Sequence, residues 1–160
     1  GHYIDKYNIW SSYGVESEGV FIAYASVYGN TRKAADMLAS KLADKGVHVT
    51  VSDLARDDWA ECLEDAFRYG KLVLAAPTYN ADVFPAMKEF INHLTERNYQ
   101  NRTIGIIENG SWAPMAAKVM KGMFEKSKNI TFAENTVTVR SAVNAANEAQ
   151  IEALAEELKG

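Results

Sequence analysis

Three short segments hold the residue types that bind a phosphate and a flat ring: Ser26-Val27-Tyr28-Gly29-Asn30-Thr31, Pro77-Thr78-Tyr79-Asn80-Ala81-Asp82 and Asn109-Gly110-Ser111-Trp112-Ala113-Pro114. In the first, the hydroxyls of Ser26 and Thr31 and the open backbone at Gly29 stand at the start of a helical pattern. The unpaired N–H groups and positive dipole end of a helix favour an anion. Hydrogen bonds to a charged group contribute roughly 1.5–3 kcal/mol each, so a phosphate needs no Lys or Arg in that loop. Taken alone, the same residues also make a capped helix after a tight turn. In the other two segments, Tyr79 and Trp112 offer aromatic faces suited to stacking on a planar heterocycle. Backbone groups near Asn80, Gly110 and Ser111 suit its polar edge. Trp112 packed only on its own loop is the competing reading, and Tyr28 has a purely structural reading as well.

Rival chemistries lack their residues. No Gly-x-Gly occurs, so the dinucleotide fingerprint is absent, and no Gly-Lys-Ser/Thr is present for a nucleoside triphosphate. A receiver-type signalling domain needs acidic residues after the first and third strands, where Ser26 and Pro77 stand instead. The histidines, His2, His48 and His93, are scattered without metal-ligand spacing. They read as surface or structural residues, and the Asp57-Asp58 pair as a solvated turn or helix cap. No metal site and no catalytic acid, base or nucleophile is expected. A net charge of −4 argues against a nucleic-acid platform. No apolar run approaches the ~20 residues of a membrane span. The single cysteine, Cys62, rules out an internal disulfide and points to a reducing, cytoplasmic setting; it reads as a structural helix residue.

The elements that must position the three segments alternate regularly. Val20–Ala25, Lys71–Ala76 and Thr103–Glu108 are short apolar runs of the kind buried on both faces, the second stopped by Pro77. Val47–Leu54 alternates as a half-covered edge strand, and residues 130–132 and 137–139 share a last strand region. Helical faces run over Thr31–Lys45 (stopped by Gly46), Trp59–Tyr69 (stopped by Gly70), a stretch around Phe84–Leu94 with Pro85 in its first turn, Pro114–Lys126, and a closing helix through Leu158. Five βα units imply an α/β fold with a five-stranded, doubly wound parallel sheet, order 2-1-3-4-5, and helices on both faces. The three segments then follow strands 1, 3 and 4, which are neighbours, so they converge at the carboxyl edge. Residues 1–18 read as a lead-in or interdomain linker and 19–160 as the domain. The chain opens Gly1-His2 without an initiating methionine, which suggests a piece of something longer.

The residues Ser26-Val27-Tyr28-Gly29-Asn30-Thr31 resemble the FMN-phosphate signature of the flavodoxin family, and the other two segments resemble its two isoalloxazine loops. Over about residues 19–159 the chain is most similar to the C-terminal flavodoxin-like domain of flavodiiron proteins (A-type flavoproteins). The resemblance implies that Ser26, Tyr28, Asn30 and Thr31 bind phosphate, with backbone contacts from Val27 and Gly29. It also implies that Pro77, Thr78, Tyr79, Asn80, Asn109, Gly110, Ser111 and Trp112 line the ring. The third segment departs from the commoner Gly-Ser-Tyr-Gly-Trp pattern. The implied function is electron transfer by bound FMN. A rubredoxin-like protein or flavin reductase would be the donor, a diiron domain that reduces oxygen or nitric oxide the acceptor, with head-to-tail homodimers in the full-length protein. The alternative is a flavodoxin-like NAD(P)H:quinone oxidoreductase, kept open by Glu108 just ahead of the third segment.

Overall fold

The apolar runs lie at the centre of a sheet covered by helices on both sides. The computed structural model describes residues 17–25, 30–79, 82–83, 85–97, 99–109, 116–139 and 145–159. Its elements are β1 (Ser17–Tyr24), α1 (Asn30–Asp44), β2 (Val49–Asp53), α2 (Trp59–Arg68), β3 (Tyr69–Tyr79), β4 (Asp82–Val83), α3 (Pro85–Glu96), β5 (Arg102–Asn109), α4 (Ala116–Met123), β6 (Ile130–Phe132), β7 (Val137–Val139) and α5 (Ala145–Lys159). β1 pairs in parallel with β2 and β3, β3 with β5, and β5 with both β6 and β7. With β4 set aside and β6 and β7 counted as one interrupted strand, the parallel strands run in the expected order 2-1-3-4-5. β4 adds an antiparallel pair at the end of β3.

Strand alternation sends side chains to two cores. Phe21 and Ala23 join Leu72, Leu74, Ile104 and Ile106 beneath α2, α3 and α4. Val20, Ile22 and Tyr24 join Val73, Ala75 and Ile107 beneath α1 and α5. Each fully buried Leu, Ile, Val or Phe contributes about 1.5–3 kcal/mol, so the two layers hold the sheet firmly from both faces. The edge strand β2 is half-buried along its whole length, as its alternation implies. Among the described residues no helix is long and apolar enough to cross a membrane.

Two glycines set the entry and exit around β1 and α1. Gly19 has φ 143°, and a Cβ there would lie 2.6 Å from the His48 carbonyl oxygen. The β1–β3 register shifts between Ser17 and Val20 at this point, so β1 starts inside the stretch expected to be lead-in; residues 1–16 lie outside the described residues. Gly46, at φ 83°, ends α1 as expected. Its N–H donates to Ala43 O and that of Val47 to Leu42 O, both at 3.0 Å, the paired bonds of a Schellman stop.

Three boundaries differ from the sequence reading. α2 ends at Arg68 rather than Tyr69, because Tyr69 is already extended and opens β3. β3 does not stop at Pro77 but continues to Tyr79. Ala25 N–H donates to Ala75 O, so the nitrogen of Pro77, two residues on, faces the same side, beyond the end of β1. A proline is tolerated where no partner strand needs its N–H. His48 sits exposed just ahead of β2 rather than in it, its Nε2 3.1 Å from Tyr69 Oη.

Candidate functional site

The carboxyl ends of β1, β3 and β5 lie side by side. Tyr24 pairs with Ala75, and Ala76 and Pro77 pair with Glu108 and Asn109. The first segment leaves β1 here and enters α1, which begins at Asn30 with no acidic residue in its first turn. Thr31 lies in that turn and is 1% exposed, so it faces inward at the end of a helix that favours an anion. Ala25, Ala75 and Ala76 are all fully buried, so small apolar side chains mark the ends of these strands on both faces of the sheet. Burial and the neighbouring Asp53 carboxylate raise the pKa of Tyr24, which stays a neutral phenol at the end of β1.

The second segment is only partly a loop. Pro77, Thr78 and Tyr79 belong to β3, and Thr78 and Tyr79 pair back onto Val83 and Asp82 of β4. β4 in turn contacts α4, the helix that follows the third segment. β4 therefore joins the end of β3 to the helix that follows β5. Of the residues expected at the site, Thr31 is placed with its side chain, and Asn30, Pro77, Thr78, Tyr79 and Asn109 are placed by their backbone. Ser26, Val27, Tyr28, Gly29, Asn80, Gly110, Ser111 and Trp112 lie outside the described residues.

Glu108 does not stand open to a ligand. Its Oε1 accepts from Ala117 N–H at 3.1 Å and its Oε2 from Thr138 Oγ1 at 2.9 Å, with the residue 9% exposed. The carboxylate is committed to the start of α4 and to β7. Sequence reading marked Glu108 by its position but missed Ala117 and Thr138, because neither partner is near it in the chain.

The remaining polar candidates take structural places. Asp58 caps α2, its Oδ1 accepting from Ala60 N–H at 3.0 Å, and Asp57 Oδ2 accepts from Asp53 N–H at 2.7 Å. His93 stacks on the exposed Trp59 with ring centroids 4.7 Å apart. Burial pushes the Cys62 thiol up to about 11, against the opposing hydrogen bond with Ser52, and so favours the neutral thiol over the thiolate. Among the described residues no three or more His, Cys, Asp or Glu side chains cluster to hold a metal.

Comparison with known proteins agrees with this fold. A flavodoxin domain family model matches residues 21–144. Coenzyme F420H2 oxidase of Methanothermobacter marburgensis is 32% identical over 101 residues, covering 63% of this chain and 24% of its own. The anaerobic nitric oxide reductase flavorubredoxin of Aeromonas hydrophila is 26% identical over 109 residues, covering 67% and 22% respectively. The chain thus spans about a quarter of the length of these curated relatives. The structure of rubredoxin oxygen:oxidoreductase from Desulfovibrio gigas superposes with a TM-score of 0.88 at 19% identity, covering 98% of this chain and 38% of that one.

Proposed function

The chain belongs to the flavodoxin family, whose cofactor is FMN, and we propose that it carries electrons on one FMN bound at the joined carboxyl ends of β1, β3 and β5. The observation that carries this reading is the meeting of those three ends with the inward-facing Thr31 at the head of α1. The phosphate would be held by Ser26, Tyr28, Asn30 and Thr31 with the backbone of Val27 and Gly29. The ring would lie between residues 77–80 and 109–112, with Tyr79 or Trp112 as its stacking partner. Bound FMN supplies one- and two-electron redox chemistry. The protein's own part is to fix the phosphate, orient the ring and leave one edge reachable.

The names of the relatives support an acceptor that reduces oxygen or nitric oxide. In this reading the chain is the flavin-bearing part of a longer flavodiiron-type protein. It receives electrons from a rubredoxin-like protein or a flavin reductase, passes them to a diiron centre and works in the cytoplasm. The quinone-reductase alternative loses its one supporting residue, since Glu108 is held by Ala117 and Thr138.

Flavin titration tests the reading. The chain reconstituted with FMN should be yellow, with an oxidised-flavin spectrum. Replacing Ser26 and Thr31 together by Ala should weaken FMN by about a hundredfold, two lost charge-assisted hydrogen bonds, and leave riboflavin nearly unchanged. Equal loss of both ligands would remove the phosphate from this loop, and no uptake of FMN at all would sink the proposal. Rapid steady-state NAD(P)H:quinone turnover would replace the carrier reading with the enzyme one.

A further inference from the structure

We infer that Glu108 is a positioning residue for the side of the candidate flavin site that the third segment would form, holding the carboxyl end of β5 to the start of α4 and to β7. The inference rests on the FMN reading above. Glu108 is the residue immediately ahead of the segment and sits on the carboxyl end of β5. Ala117, the second residue of α4, lies just past the other end, and its N–H donates to Glu108 Oε1 at 3.1 Å. One carboxylate therefore joins the exit from β5 to the entry into α4. The separation between the end of β5 and the start of α4 is thereby held by the fold.

The second oxygen makes the clamp rigid. Thr138 is the register partner of Glu108 on β7 and donates its hydroxyl at 2.9 Å. Thr138 is itself held from outside: its N–H donates to Gln150 Oε1 at 3.3 Å, and its carbonyl accepts from Asn147 Nδ2 at 2.7 Å. Asn147 and Gln150 belong to α5, so the chain of contacts runs from α5 through β7 and Glu108 to α4. A carboxylate also suits the first turn of a helix, where the backbone dipole is positive. The side chain sits on the same sheet face as Ile104 and Ile106, where α4 packs. An apolar residue there would bury as well but leave the Ala117 N–H without its acceptor.

The test compares Glu108→Ala, Glu108→Gln and Thr138→Val with the parent chain. In the flavin-free protein, amide hydrogen exchange at residues 109–117 should rise in Glu108→Ala while amides of β1 and β3 stay protected. Riboflavin and FMN should weaken in that variant by the same factor, at least about tenfold for the two charge-assisted hydrogen bonds lost with the carboxylate, because the phosphate contacts are untouched. Glu108→Gln should restore both exchange and affinity, since a carboxamide accepts from Ala117 N–H and donates to Thr138 Oγ1. Thr138→Val, which keeps its shape, should show a smaller loss in the same direction. Unchanged exchange and affinity in Glu108→Ala, loss of FMN alone, or a Gln variant as impaired as Ala would each overturn the inference. If the parent chain binds no flavin, the FMN reading fails with the ring-side role, while exchange still reports on the clamp.

Discussion

A buried arginine shows what single residues contribute away from the site. Arg102 is 3% exposed at the amino end of β5. Its guanidinium donates to Tyr69 O at 3.0 Å, Phe67 O at 2.8 Å and Gln100 O at 2.6 Å. It lies over the Tyr99 ring at 5.3 Å. Burial lowers its pKa, with the Tyr99 interaction opposing, yet a guanidinium stays charged in any accessible range. Two of the accepting carbonyls mark the passage from α2 to β3, where the helix ends and would otherwise leave acceptors without donors. Arg102→Met keeps much of the volume and strands those carbonyls. It should lower unfolding free energy by about 2–4 kcal/mol in urea denaturation, in line with buried groups left unsatisfied. FMN affinity of the folded fraction should not change, because Arg102 lies six residue steps along β5 from Glu108, roughly 20 Å. A variant as stable as the parent would show that water serves these carbonyls equally well.

At the scale of elements, α1 and α5 are joined by charge across one face of the sheet. Lys45 Nζ contacts Glu152 at 2.6 Å and Glu156 at 2.7 Å, Lys41 reaches Glu152 at 3.2 Å, and Lys159 reaches Glu156 at 2.8 Å. Glu157 holds the β6–β7 connection, accepting from Glu134 N–H at 2.8 Å and Asn135 N–H at 3.1 Å. The hydrogen bonds of Lys159 and Lys45 bring Glu156 down to about 2, and those of Lys45 and Lys41 lower Glu152. For Glu157, burial acts upward but is outweighed by the Glu134 and Asn135 hydrogen bonds, and its pKa also falls. All three carboxylates have folded pKa values below their unfolded ones. Their stabilisation is therefore complete above the ordinary carboxylate range, about pH 4.5, and is lost as pH falls through their lowered folded values, about 2 for Glu156. The urea midpoint should fall across that window, and Lys45→Met and Glu157→Gln should each flatten the fall. Added salt should mimic only Lys45→Met, since exposed pairs are screened and backbone caps much less. Parallel pH profiles in all three proteins would contradict this assignment. These contacts also mark where sequence reading ends. The apolar runs and helical faces repeat within a few residues and were legible, as were the Gly46 stop, the Pro85 start and the meeting of the three strand ends. The passage of β3 through Pro77, the reach of Arg102 to Phe67 and Tyr69 and the pairing of Glu108 with Thr138 depend on residues far apart in the chain. No local pattern records them.

At the scale of the whole molecule, the candidate site exists only when the sheet is closed. Tyr24, Tyr79 and Asn109 end strands that are distant in sequence and become neighbours through the crossovers. A flavin held there binds the folded chain and has no comparable site on the unfolded one, so FMN must raise stability by mass action. At about a hundred times its dissociation constant, FMN should add about 2.7 kcal/mol. For a domain of this size that corresponds to roughly 5–10 °C in Tm. The chain carries a net charge of −4, which opposes an anionic ligand at long range. That field is screened beyond about 8 Å at physiological salt, whereas the helix N–H groups and hydroxyls act at contact. The upward shift should therefore survive an increase in salt, unlike that of a ligand attracted by a basic surface. Riboflavin at the same concentration should give a smaller shift, the difference measuring the phosphate contacts. Scanning calorimetry with FMN, riboflavin and inorganic phosphate separates these contributions. Equal shifts for FMN and riboflavin would place the phosphate in solvent, and no shift with FMN would mean that the three strand ends do not form the site in the folded chain.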